Sequence, residues 1–325
     1  MRIVAGDIGG TKTLLQMVEV GSERREVVLE RRYESGLYPT FDAMFREFVQ
    51  LSPGSIESAC FAVAGPVLGG RATVTNLPWK MEEAKLSREF AIPSARLVND
   101  FYAVAAGVPL LGSGDVVSLN GGDRDLDWPV GILGAGTGLG EAFVIPEKPS
   151  GWRVLPSEGG HADFAPMDEL QCDLLEFLFH RYGHVSYERL LSGEGLTNIH
   201  NYLRDHVFKG ETSPASVAES DEEMPPRISR LAEAGDPLAL RTFEVFVDIY
   251  AAEAANVALK VIARGGVYLA GGIAAKNVAR FDVKRFTAAF TRKGRFSDFM
   301  LQFPVDLITN PKVGLIGAAA LAERG

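Results

Sequence analysis

The sequence predicts an α/β chain made of two copies of one lobe around a cleft. Two observations carry that expectation. A buried strand, a turn of small residues containing threonine, and a returning strand occur first as Arg2–Ile8 with Gly9-Gly10-Thr11 and the strand after it. The same phrase recurs at 130–133 with the glycine-rich turn 134–140. Helical-period stretches follow each copy, and a duplicated α/β lobe is the simplest explanation of such a repeat. A length of 325 residues is enough for two separate cores.

The elements read as follows. Arg2–Ile8 is a buried strand, and Lys12–Val20 is its partner after a tight Gly9-Gly10 turn. A third strand is expected at 27–33. Phe41, Phe45, Phe48 and Val49 recur at helical spacing, so Phe41–Gln50 is an amphipathic helix. Strands are expected at 58–64 and 95–98, with a helix at 81–90 between them. The stretch 101–111 reads as a helix started by Asn99 or Asp100. Strands at 115–119, 130–133 and 141–145 open the second half. Helices at 167–182, 186–191, 196–208 and 237–264, the strand Gly266–Ala270, and a closing helix at 313–323 complete it. The stretch 210–226 is rich in Ser, Pro and acidic residues and reads as a surface loop or frayed helix start.

Composition narrows the function class. The chain is 46% hydrophobic and 23% charged, ordinary for a globular protein, with a formal net charge of −9. That acidic balance argues against a nucleic-acid face. An anionic substrate must then be attracted locally, by glycine-rich backbone and a metal ion. No apolar run approaches the roughly 18–20 residues of a membrane helix. Cys60 and Cys172 are far apart and are expected to be two buried apolar side chains in a reducing compartment. A cytoplasmic protein without membrane or nucleic-acid partners is the expectation.

The glycine turns are the first candidates for chemistry. In Asp7-Ile8-Gly9-Gly10-Thr11 the glycines let backbone N–H groups approach an anion, and Thr11 adds a hydroxyl. Asp7 only accepts, so beside a polyphosphate it makes sense mainly with Mg²⁺ between them. An ordinary hairpin is the alternative. The second turn has four glycines in the seven residues 134–140, a surplus that suggests close approach to a ligand. It returns as a strand, unlike a dinucleotide-binding turn, and lacks the Gly-Lys-Ser/Thr of a P-loop. Gly271-Gly272 after the strand Gly266–Ala270 reads by itself as a helix entry.

Polar clusters come next. Asn99-Asp100, where a strand gives way to a helix, reads either as a cap or as a base with an orienting amide. In Ser157-Glu158-Gly159-Gly160-His161 the glycines make a turn that can aim a carboxylate and an imidazole at one polyhydroxylated object. The alternatives there are a capped turn and a structural histidine. A zinc set would need more ligands than Asp163 offers, so no zinc is expected. Ser186 is a natural cap, and Glu188 behind it reads as an ordinary first-turn acid.

Taken in order, six motifs carry a resemblance. They are Gly6-Asp7-Ile8-Gly9-Gly10-Thr11; Leu97-Val98-Asn99-Asp100-Phe101; Gly134-Ala135-Gly136-Thr137-Gly138-Leu139-Gly140; Glu158-Gly159-Gly160-His161-Ala162-Asp163-Phe164; Gly183-His184-Val185-Ser186-x-Glu188-Arg189; and Gly271-Gly272-Ile273. The ordered set resembles the bacterial ATP-dependent glucokinase family over essentially the whole chain. The resemblance implies a two-lobed actin-like (ribonuclease H-like) ATPase fold, with duplicated mixed β-sheet lobes around a central cleft. The small lobe would be 1–110 plus 301–325, and the large lobe 111–300. Residues Gly6, Asp7, Ile8, Gly9, Gly10 and Thr11 would form the first phosphate hairpin, with Asp7 facing Mg²⁺, directly or through water. Thr137 and Gly138 would form the second, and Gly271 and Gly272 would lie beside the adenosine of ATP. Asn99, Asp100, Glu158, His161 and Glu188 would hold glucose, with Asp100 as base. A homodimer is the family habit. Where the related repressor/kinase family has a cysteine-rich zinc motif, this chain has Ala162-Asp163-Phe164-Ala165-Pro166, which disfavours that branch. The rivals are another hexose or aminosugar kinase, a polyphosphate-using kinase, and a non-catalytic ATPase switch or sugar sensor.

Overall fold

A computed structural model describes residues 1–21, 24–148, 151–209 and 223–325. The chain divides into two units, Met1–Gly112 with Pro311–Gly325, and Ser113–Asn310.

The first unit is organised by β1 (Arg2–Ile8), a strand with no charge before Asp7 once past Arg2. It pairs antiparallel with β2 (Lys12–Val20), which pairs antiparallel with β3 (Arg25–Glu34). On its other side it runs parallel to β4 (Ser58–Val63), buried at every position. Short strands β5 (Val67–Leu68), β6 (Arg71–Thr73) and β7 (Lys80–Glu82) form a separate sheet. Strand β8 (Ser94–Asn99) then returns parallel to β4, giving the order β3-β2-β1-β4-β8. Helix α1 (Phe41–Gln50) is capped by Thr40, whose hydroxyl accepts from Ala43 N–H. Its Phe41, Phe45 and Phe48 form the apolar stripe, and Phe45 meets Phe61 of β4 edge-on at 5.2 Å between ring centroids. Helix α2 (Glu83–Phe90) starts two residues later than expected because Met81 pairs with Ala72 in the small sheet. Helix α3 (Asp100–Gly107) ends earlier than expected and tightens into a 3₁₀ turn at Val108–Leu110, where Pro109 enters.

The C-terminal helix Val313–Arg324 packs on β1, β4 and α3. Its crossing with α3 has no room for side chains: a Cβ on Gly317 would overlap the carbonyl oxygen of Ala103, and one on Gly107 that of Val313. A chain segment remote in sequence is thereby locked against the helix that begins at Asp100.

The second unit repeats the first. Its strands are β9 (Val116–Asn120), β10 (Val130–Ala135), β11 (Leu139–Pro146), β12 (Trp152–Ser157), β13 (Gly266–Ala270) and β14 (Val305–Ile308). The order is β12-β11-β10-β13-β14-β9. As in the first unit, the first three in that order are an antiparallel meander and the next two run parallel to β10. Only the antiparallel edge strand β9 is extra. Because β14 pairs with β13, residues 301–310 belong to this unit and not to the first, where the sequence reading put them.

Helices α4 (Glu169–Tyr182), α5 (Gly193–Tyr202), α6 (Met224–Glu233), α7 (Pro237–Val261), α8 (Gly272–Lys276), α9 (Val283–Phe290) and α10 (Ser297–Met300) complete the unit. Helix α7 is the central one. Asp236 caps it and Pro237 opens it. Val257 on it fills the space a Cβ on Gly131 of β10 would take. The expected helix at 186–191 is a single 3₁₀ turn, Tyr187–Arg189, and the one at 196–208 ends as a π turn, Leu203–Val207. The segment read as a loop at 210–226 lies outside the described residues through 222, and Met224 already begins α6.

Cys60 is buried on β4, and burial pushes its thiol up to about 12. Cys172 is exposed, against expectation. Helix α4 buries Gln171, Leu174 and Leu178, one helical stripe from which position 172 points away.

Gly317→Ala is expected to cost about 1–3 kcal/mol in urea unfolding, the range for overpacking a tight contact. Gly314→Ala, whose Cβ would sit an ordinary 3.6 Å from Val104, is expected to cost nothing. Equal stability of the two variants would contradict the locked crossing.

Candidate active site

In the first unit the site residues sit at the carboxyl ends of parallel strands. Asp7 of β1 is in register with Ala62 of β4, which is in register with Val98 of β8. Asn99 and Asp100 follow directly. Ligands of open α/β sheets bind at that end. Alternation along β1 turns Gly6 toward Phe61 and Leu15 in the phenylalanine core and buries Ile8 completely. These two residues frame the hairpin, and the backbone of Gly9, Gly10 and Thr11 forms its tip.

Ser35, itself fully buried, clamps that tip. Its Oγ donates to the Gly9 carbonyl at 2.8 Å and its N–H donates to the Thr11 carbonyl at 2.9 Å. The Thr13 hydroxyl, 3.0 Å away, is left to donate to Ser35 Oγ. The Gly9 N–H closes the turn on the Lys12 carbonyl at 3.0 Å, so with both carbonyls held it is the N–H groups of Gly10 and Thr11 that are left to face an anion.

The cap question is resolved by geometry. Asn99 Oδ1 accepts from Phe101 N–H at 2.9 Å and from Tyr102 N–H at 3.3 Å, and its Nδ2 donates to the Gly65 carbonyl at 3.2 Å. Asn99 is therefore the cap, fixed at both ends. Asp100 is the first residue of α3, and Phe101 N–H also reaches its Oδ1 at 2.9 Å. Burial raises the Asp100 carboxyl above its ordinary range, against the opposing pull of the helix-start N–H groups and Asn99. Asp7 is pushed up to about 6, first by burial and next by the charge of Asp100, with Lys12 opposing. Two carboxylates thus repel in a poorly solvated place.

In the second unit the β10–β11 turn closes with Gly136 N–H on the Gly138 carbonyl at 2.8 Å. Glu188 Oε2 accepts from Leu139 N–H at 2.9 Å and occupies the place a Cβ on Gly138 would take. The other oxygen of Glu188 lies 3.8 Å from His161 Nδ1, and His161 Nε2 lies 3.9 Å from Glu158 Oε2. Glu158, His161 and Glu188 therefore share one face of this unit. The Glu158 side chain is 93% exposed and caps nothing; Ser157 Oγ takes the Gly159 N–H at 3.0 Å instead.

Ser186 makes no capping bond either. It forms a two-residue antiparallel bridge with Asp163, and Tyr187 N–H donates to the Ala162 carbonyl at 3.1 Å. That bridge joins the Glu158–His161 turn to the segment carrying Glu188. The Ser192 hydroxyl holds the Glu188 carbonyl at 2.7 Å.

Tyr250 of α7 ties the strand ends together. Its hydroxyl accepts from Ala135 N–H at 3.1 Å and lies 3.0 Å from the Ala270 carbonyl and 3.2 Å from that of Leu133. Gly271 follows with φ of 92°, and a Cβ there would overlap the Ala135 carbonyl. Gly271 is thus required by packing of the third glycine turn on the second.

Sequence reasoning missed Ser35, Thr13, Ser157, Ser192 and Tyr250. Only Tyr250 had a signal: it is a hydroxyl within an apolar helix, and a buried tyrosine needs a partner. Thr137, Gly138 and Gly272 lie on their turns as expected. Among the described residues no group of three His, Cys, Asp or Glu side chains is placed to hold a metal ion.

Comparison with known proteins fits this geometry. A family model described as Glucokinase matches residues 4–325. The chain is 41% identical to a glucokinase of Trichormus variabilis, over 99% of each chain. It is 40% identical to one of Synechocystis sp., over 100% of this chain and 98% of the relative. Among solved structures, a glucokinase from an Antarctic psychrotroph superposes with a TM-score of 0.87 at 28% identity, covering 100% of this chain and 99% of the other. A ROK family glucokinase from Streptomyces griseus, solved with glucose and AMPPNP, shares the fold with a TM-score of 0.61 at 22% identity, over 100% of both chains.

Tyr250→Phe removes the one hydroxyl that serves Ala135 N–H. Leaving that buried donor unpaired is expected to cost about 1–3 kcal/mol in urea unfolding. Unchanged stability would show that the strand ends do not depend on the hydroxyl.

Proposed function

The chain belongs to the glucokinase family, and from that membership we propose how its residues divide the reaction. The protein transfers the γ-phosphoryl group of ATP to the 6-hydroxyl of glucose, giving glucose 6-phosphate and ADP. Asp100 takes the proton of the attacking hydroxyl. Asn99, Glu158, His161 and Glu188 hold the sugar. The observation that carries this reading is the division at the start of α3: Asn99 accepts from both Phe101 and Tyr102 N–H, and Asp100 shares only the Phe101 N–H through Oδ1.

The chemistry asks little else of a base. In phosphoryl transfer most of the rate comes from positioning and from neutralising charge on the transferred group. Backbone N–H groups of Gly10 and Thr11 and of the Thr137-Gly138 turn suit the phosphates, with Gly9 shaping the first hairpin through its bond to the Lys12 carbonyl, and Gly271-Gly272 suit the adenosine. Asp7 suits Mg²⁺, directly or through water: its carboxyl is buried and faces the like charge of Asp100, a repulsion that a divalent cation relieves. When bound with ATP, Mg²⁺ would neutralise charge on the phosphate oxygens. A carboxylate such as Glu158 or Glu188 can accept from two neighbouring sugar hydroxyls, while His161 both donates and accepts.

No helix among the described residues is long and apolar enough to cross a membrane. A cytoplasmic homodimer is proposed on the family resemblance.

Two measurements test the reading. In a coupled ADP-release assay with a panel of hexoses and aminosugars, glucose with Mg–ATP is expected to give the highest kcat/KM, and polyphosphate little turnover. Sugar-independent ATP turnover would instead favour an ATPase switch. Glu188→Gln keeps the size but weakens the acceptor, and is expected to raise the glucose Kd by about 10-fold or more, the loss of one charged hydrogen bond. Unchanged affinity would remove Glu188 from the sugar site.

A further inference from the structure

Beneath the sugar-binding turn lies a pair of buried acids. Glu141 on β11 is 3% exposed, and both its carboxyl oxygens are completely buried without a donor. Glu253 on α7 is 0% exposed and close enough for its charge to act on Glu141. Two carboxylates are both acceptors, so two such buried groups sit close together without repulsion only if one carries a proton. The donors decide which. Lys260 Nζ donates to Glu253 Oε1 at 3.3 Å and Asn256 Nδ2 to Glu253 Oε2 at 2.8 Å. Glu253 is thus the supported anion and Glu141 the proton carrier.

The pair is linked to both sugar-binding segments. Glu141 Oε2 fills the space a Cβ on Gly159 would take, directly after Glu158. On the other side Asn256 Nδ2, which holds Glu253, also donates to the Tyr187 hydroxyl at 2.9 Å, one residue before Glu188.

We propose that Glu141 is a positioning residue for glucose: its proton, donated to Glu253, holds the Glu158–His161 turn and the Glu188 segment in their binding arrangement. This rests on the proposed sugar contacts. Loss of the proton would set two buried anions against each other under both segments and weaken glucose binding. Burial first, and Glu253's charge next, push the Glu141 carboxyl up to about 7, with Lys260 opposing, so the change falls near neutral pH. The other titratable neighbours are Lys293, which donates to the Ala252 carbonyl and Asn256 Oδ1, and the Tyr187 and Tyr250 hydroxyls, both raised by burial and by these acids. None of the three moves through neutrality as a carboxyl of this kind does.

The test is glucose affinity by calorimetry against pH, with kcat and the KM for ATP alongside. In the wild type, glucose Kd is expected to rise about tenfold from about pH 6 to about pH 8, because only the protonated fraction binds well, while the KM for ATP stays level. Glu141→Gln, whose amide donates permanently, is expected to bind glucose tightly with no such rise. Glu253→Gln, whose amide can donate to an ionised Glu141, is expected to lose the rise as well. Infrared spectra of the wild type are expected to show a protonated carboxyl that titrates near neutrality. A rise kept in Glu141→Gln, a flat wild-type profile, or no such carboxyl band would overturn the proposal. Failure of the sugar-contact reading is distinguishable, because Glu188→Gln would then leave glucose affinity unchanged.

Discussion

The capping bond of Asn99 is the interaction on which the site in the first unit depends. A helix start leaves its first N–H groups without partners, and something must accept from them. Had Asp100 done so alone, its charge would be shared with the backbone and its geometry fixed for structure. Asn99 Oδ1 accepts from two of those groups, and its Nδ2 anchors on Gly65. Asp100 then stands in the first turn, where burial raises its carboxyl and the helix-start N–H groups oppose that rise. That balance suits a base. Strand register fixes where the balance is struck, since β1, β4 and β8 run parallel and deliver Asp7 and Asp100 to the same end. The Gly317 crossing then holds α3 against the C-terminal helix.

The second unit solves a different problem with the same sheet. It has to present carboxylates and an imidazole from segments far apart in sequence. Tyr250 fixes the ends of β10 and β13, the Asp163–Ser186 bridge ties two loops, and Glu188 reaches back to Leu139 N–H. Each contact is a buried or half-buried hydrogen bond whose loss leaves a backbone group unpaired. Such constraints are strong because the unpaired alternative is costly. The buried Glu141–Glu253 pair belongs to this framework and adds a titrating element to it.

Much of the fold was legible because its signals are periodic. Arg2–Ile8, Lys12–Val20, Phe41–Gln50 and Gly266–Ala270 have the bounds the sequence suggests. The duplicated strand–turn–strand phrase anticipated two sheets of matching order. What was illegible is short or long-range. Strands β5 to β7 have two or three residues and no visible period. Strand β14 is four buried residues whose partner decides the unit, and partners are not written in a single strand. At the site, Asn99-Asp100 was legible as a pair with two possible jobs, and only geometry divided them. Glu158 and Ser186 looked like ordinary turn chemistry, yet neither side chain caps anything. Serines 35, 157 and 192 act through distances that no spacing encodes.

The central claim is that Asp100 moves the proton while Asn99 holds the helix. Asp100→Asn keeps shape and leaves the Asn99 cap untouched, so folding is preserved. Single-turnover phosphoryl transfer, followed by rapid quench with saturating Mg–ATP and glucose, measures the step itself, and calorimetry measures glucose binding separately. The account predicts transfer slowed by roughly 10²–10⁴-fold, the range for losing a general base, with glucose binding largely intact. Transfer at close to the wild-type rate in a folded, glucose-binding variant would contradict it.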